Sequence, residues 1–89
     1  MTEENDELMQ YPCDFPIKVV GLATDAFELA VLVIIRKHYT NLKENALSTR
    51  LSKDGKYMSI TIDVTAESRE QLDNTYIELN NSDAVIMTL

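Results

Sequence analysis

The sequence predicts an α+β domain, a four-stranded antiparallel sheet with both helices on one face. Three observations carry that reading: an Asp54-Gly55 dipeptide between two alternating segments, period-2 patterning near both ends of the chain, and two helical stretches that each lie between strands. Asp-Gly marks a two-residue hairpin loop, because both central residues of a type I′ turn take positive φ. With that loop, Leu51 falls opposite Met58, Thr49 opposite Ile60 and Leu47 opposite Ile62, a mostly apolar face. Ser52 with Tyr57, Arg50 with Ser59 and Ser48 with Thr61 make the other, as in a sheet covered on one side only.

The elements follow in order. Phe15, Ile17 and Val19 alternate with Pro16, Lys18 and Val20, a first strand over 15–22 in which Gly21 relaxes the backbone into a turn. Asp25 can cap a helix over 26–38, with Glu28 completing a capping box. After the hairpin, Thr65 is the expected cap of a second helix. That helix carries Leu72, Tyr76 and Leu79 on one side and ends at Asn80 or Asn81 in a left-handed conformation. Residues 84–89 form the last strand. With right-handed crossovers, the order β-α-β-β-α-β gives a ferredoxin-like sheet with strands arranged 4-1-3-2. The expected inward set is Ile17, Val19, Leu47, Leu51, Met58, Ile60, Ile62, Val64, Val85, Met87 and Leu89.

Eighty-nine residues, 45% of them hydrophobic and 26% charged, suit one globular domain. Residues 1–10 read as a solvated acidic lead-in, where Glu3, Glu4, Asp6 and Glu7 hold four of the seven net negative charges, and residues 11–89 as the domain. The lone Cys13 fits a reducing compartment, no apolar run reaches the ~18 residues that cross a bilayer, and the N-terminus is not a signal peptide. The expectation is a cytoplasmic protein without a membrane partner.

No residue pattern points to a reaction. One His and one Cys, without CxxC or HxxxH spacing, do not make a metal site, and a Gly-rich phosphate loop is absent. Neither a cofactor nor a catalytic residue is assigned. Cys13 and His38 fall at one end of the fold, where a thiolate-imidazole pair is conceivable. The simpler account is a partly buried Cys and a His on the helix dipole. Nucleic acid is not expected either. Arg36, Lys37 and Lys43 lie a strand length from Lys53 and Lys56, and the outward positions Tyr57, Ser59, Thr61 and Asp63 give one aromatic and one acid where bases would stack.

Surfaces are more informative. If Phe27, Ala30, Val31, Ile34 and His38 of the first helix face the sheet, then Leu29, Leu32, Val33 and Ile35 spread over its sides and back. Either a partner chain covers Leu29, Leu32 and Val33, making a homodimer or a protein complex, or the helix is more deeply sunken. Val20 and Ile86, outward on neighbouring strands, are a second candidate contact. A small-molecule effector is the alternative, bound near Gly21, Thr24 and Asp25 or at a subunit interface.

Phe15, Pro16, Ile17, Lys18, Val19 and Gly21, then Arg36, Lys37 and His38, then Gly55, Lys56, Tyr57, Ser59, Ile60, Thr61 and Ile62 occur in an order that resembles the small bacterial proteins of the YbeD type. Gln71, Leu72, Tyr76 and Leu79 extend the match, which covers residues 8–89. The resemblance implies a fold like that of ACT regulatory domains, a regulatory and non-catalytic role, and a link to lipoate metabolism. Lys18, Gly21, His38, Gly55, Tyr57 and Ser59 fit the family pattern, and Cys13 falls outside it.

Overall fold

A computed structural model describes residues 10–89, so the acidic lead-in lies, but for residue 10, outside the described residues. The elements are β1 (Cys13–Leu22), α1 (Asp25–His38), β2 (Leu47–Leu51), β3 (Tyr57–Ala66), α2 (Arg69–Asn80) and β4 (Val85–Thr88). The sheet order is β2-β3-β1-β4 with antiparallel pairing throughout, and the ferredoxin-like reading is correct. Ile17, Val19, Ile60, Ile62 and Val64 from the sheet meet Phe27, Val31, Ile34 and Ile35 of α1 and Leu72 and Leu79 of α2 in one core. Burying such side chains contributes roughly 1.5–3 kcal/mol each, the main term against chain entropy.

The hairpin register is the expected one: Leu51 opposite Met58, Thr49 opposite Ile60 and Leu47 opposite Ile62. The turn is not type I′. Ser52 N–H donates to Tyr57 O at 2.8 Å, Gly55 N–H donates to Ser52 O at 2.9 Å, and Gly55 alone has positive φ, at 75°. The loop is therefore residues 53–56. Asp54 Oδ1 accepts from Ser52 Oγ at 2.8 Å and Lys56 N–H at 3.0 Å, which holds the turn without putting Asp54 at positive φ.

Both helix caps sit apart from their expected positions. Thr24, in extended conformation, accepts the Phe27 N–H at 3.1 Å, and Asp25 becomes the first helical residue, its charge in the first turn. Thr65 stays in β3, paired with Asp14, because the ladder runs on to the fully buried Ala66; Ser68 caps α2 through the Gln71 N–H at 3.1 Å. Asn81 ends α2 in a right-handed conformation, so neither Asn is left-handed.

Two members of the inward set, Met87 and Leu89, face the other way, and a third, Leu51, faces inward but is uncovered. β4 carries a bulge, with Gly21 opposite Val85 but Val20 opposite Met87. The extra residue shifts the parity, so Val85 and Thr88 turn to the helices and Met87 and Leu89 to the open face, both exposed. Thr88 Oγ1 accordingly bonds Asn80 Oδ1 at 3.1 Å. Leu51 has the inward parity yet is 58% exposed, at the hairpin end of an edge strand that is half-buried only at Leu47. On α1, Ile35 is in the core rather than on the sides, whereas Leu29 and Val33 are exposed and Leu32 is half-buried.

Candidate functional site

The sheet face opposite the helices carries an apolar corner. Outward residues of β1 end in Val20 and Leu22, and the registers set Tyr57 beside Leu22 and Met87 beside Val20. Leu89 continues the row, its N–H donating to Lys18 O at 2.9 Å. Leu22, Tyr57, Met87 and Leu89 are all exposed large apolar side chains. Lys56 Nζ stands 5.5 Å from the Tyr57 ring centroid, and a depression of about 170 Å³ opens beside the corner between Val20, Arg50, Tyr57 and Ser59. Exposed Lys18, Arg50 and Lys56 give the corner a basic rim. The rest of the face is polar, through Ser48, Thr61, Asp63 and a Thr65–Asp14 hydrogen bond of 3.0 Å. Scattered apolar residues are ordinary surface, but a contiguous group rimmed by charge is how contact sites are built.

Of the expected interface residues, Val20 lies at the centre of this corner and Ile86 is exposed at the β4 bulge. Leu22, Met87 and Leu89 were not anticipated there. Leu22 could have been found from strand parity, whereas no local pattern in the sequence marks the bulge that turns Met87 outward. Leu29, Leu32 and Val33 sit elsewhere, on α1. There a groove of about 730 Å³ runs between Leu32, Arg36, Tyr39, Leu42, Lys43 and Leu47.

The residues expected to hold an effector are spread over a strand end and a cap. Gly21 belongs to β1, and a Cβ there would stand 2.4 Å from Phe27 Cδ1 and 2.8 Å from Ala84 O. Thr24 Oγ1 is engaged by the Phe27 N–H, and Asp25 is exposed on the first helical turn.

A polar junction joins the helices. His38 Nε2 lies 2.8 Å from Glu78 Oε1, Lys37 Nζ 2.9 Å from Glu78 Oε2, and Gln71 Nε2 donates to His38 O at 2.7 Å. The hydrogen bond from His38, then that from Lys37, holds the Glu78 carboxyl below its ordinary range. Buried Thr75 donates to Gln71 O at 2.7 Å and lies 3.3 Å from Tyr39 Oη; burial raises the pKa of Tyr39 and of Tyr76. Half-buried Cys13 packs against the core, while the His38 ring is committed to Glu78. Every member of this junction has a structural partner. Among the described residues, no three His, Cys, Asp or Glu side chains converge to hold a metal ion, and no helix is long and apolar enough to cross a membrane.

A small ferredoxin-like domain with an apolar corner on its open sheet is thus the class of protein defined here. The solution structure of protein HP0495 from H. pylori has the same fold, with a TM-score of 0.69 over 91% of this chain and 85% of that one, at 15% identity. Residues 6–89 match the family described as protein of unknown function DUF493. UPF0250 proteins of Chromobacterium violaceum and Nitrosomonas europaea are 38% and 40% identical over 89 residues, the whole of each chain. A third, from Janthinobacterium, is 42% identical over 89% of this chain and 87% of its own. The chain belongs to the DUF493 family, the UPF0250 or YbeD type.

Proposed function

We propose that this protein is a non-enzymatic regulator or adaptor that acts by binding another protein through the apolar corner of its open sheet. The observation that supports this reading is the grouping of Val20, Leu22, Tyr57, Met87 and Leu89 on one corner, rimmed by Lys18, Arg50 and Lys56. Covering such side chains contributes about 25 cal/mol per Å² of apolar area, and the rim favours a partner surface that carries acid around an apolar centre. The link to lipoate metabolism comes from the family resemblance and names the first place to seek that partner.

The alternative, a metabolite at Gly21, Thr24 and Asp25, has less to support it. Phe27 fills the space beside Gly21 and the Thr24 hydroxyl is already used as a cap.

Photo-crosslinking in cells tests the reading, with the reactive residue placed at Met87 or at Thr61, which lies on the polar part of the same face. A discrete protein adduct from position 87 and none from 61 is the expected result. Equal labelling from both, or none from 87, contradicts it. A thermal-shift screen of pure protein against metabolites addresses the alternative, since a ligand of the folded state raises Tm by mass action.

A further inference from the structure

The two edges of the sheet are built differently. β4 is four residues long and bulged, features that blunt an edge against pairing. β2 is five residues long and regularly paired over its whole length, with neither Pro nor Gly. Its backbone directions follow from the ladder. Ser52 N–H bonds Tyr57 O, and Asp63 N–H bonds Ala46 O. Hydrogen-bonded pairs alternate in an antiparallel ladder, so Ala46, Ser48, Arg50 and Ser52 turn their backbone groups toward β3. Leu47, Thr49 and Leu51 turn theirs outward, to an edge that no described residue pairs.

We infer that β2 pairs antiparallel with β2 of a second copy of this chain, about a twofold axis at Thr49, so that the two sheets join. In that register Thr49 meets its counterpart, Leu47 meets Leu51 of the second copy and the reverse, and each pair exchanges two N–H···O bonds. The side chains match as well. The 58% exposed Leu51 comes beside Leu47, which is half-buried at the mouth of the α1 groove, and Arg50 faces Ser48 rather than another Arg50. Moving the axis one residue toward the hairpin would set two guanidinium groups opposite each other, and moving it one residue the other way shortens the pairing; both are disfavoured. The same union brings the second copy to the groove that half-buried Leu32 and exposed Arg36 of α1 form with Leu42 and Leu47, since α1 connects β1 to β2 and turns that flank toward β2. This inference does not rest on the open-face reading, because β2 self-pairing is made by the outward backbone groups of Leu47, Thr49 and Leu51 and shares with the corner only Arg50 of its rim.

A charge-swap at the axis tests it. Thr49→Lys and Thr49→Glu each place like charges directly opposite in the proposed register, whereas a mixture of the two places opposite charges there. Thr49→Pro removes only an outward N–H and keeps the ladder to β3. Light scattering and sedimentation on the full chain, with circular dichroism as a fold control, should show a dimeric wild type, monomeric Thr49→Lys, Thr49→Glu and Thr49→Pro, and heterodimer in the mixture. A wild type that stays monomeric at millimolar concentration overturns the inference, as do variants that dimerise like the wild type. Failure of the mixture to associate overturns the Thr49-centred register. If a charged variant does not fold, the wild type and Thr49→Pro decide.

Discussion

Gly21 lies beneath the ring of Phe27 so closely that a Cβ on Gly21 would stand 2.4 Å from Cδ1 and 2.5 Å from Cε1. Its backbone is not in the left-handed region, so the requirement for glycine here is one of space. Phe27 is itself 1% exposed and has no free side to move into. Gly21→Ala should lower stability by about 1–3 kcal/mol, the usual cost of overpacking. Adding Phe27→Leu should recover part of the loss, a coupling readable in denaturant melts. Independent, additive losses would mean that the two side chains do not compete for the same space.

Gly55 presents the opposite case, with φ at 75° and nothing within 4 Å of an added Cβ. Gly55→Ala should therefore cost only the left-handed backbone penalty, about 1 kcal/mol. Gly55→Asn should cost less, because Asn tolerates that conformation better. Equal melting curves for all three proteins would show that the turn relaxes to another form.

The core facing of β3 can be read from two neighbours. Ile60 is fully buried between sheet and helices, while Thr61 is partly open on the other face. Ile60→Ala should cost roughly 2–5 kcal/mol through the cavity it leaves, and Thr61→Ala well under half of that. Similar losses would contradict the assigned facing.

The contact between the helices should depend on pH through Glu78. Its folded pKa is lowered, first by the His38 hydrogen bond and then by Lys37. A depressed carboxyl stabilises the fold fully above its unfolded pKa and loses that contribution as pH falls through the folded value. Glu78→Gln should thus be less stable than wild type at neutral pH, with the gap closing on acidification below the ordinary carboxylate range. A Tm difference that stays constant down to strongly acidic pH would rule out this role for the Glu78 charge.

Much of the fold was legible because its determinants are local. The alternation around Asp54-Gly55 set the hairpin register even though the turn itself is of another kind, since side-chain parity and turn geometry are separate constraints. The same period-2 pattern identified Ile17, Val19, Ile60, Ile62 and Val64 as core. The caps at Thr24 and Ser68 were missed by one and three residues, because several polar residues near each helix start can accept an N–H and the length of the preceding strand decides among them.

By itself the sequence determined the order of elements, the hairpin register and the central core, all of which rest on chemistry between near neighbours in the chain. Only the tertiary structure decided which apolar residues stay uncovered. Met87 and Leu89 turn outward because of a bulge created by pairing with β1, a strand more than sixty positions away, and Leu51 is exposed at the end of a strand that the sheet order leaves on the edge. Ile35 is core while Leu29 and Val33 are not, because the roll of α1 is set by packing against the sheet and α2 together. Coverage is a property of layers meeting across the fold, and period and propensity carry no information about where a layer ends.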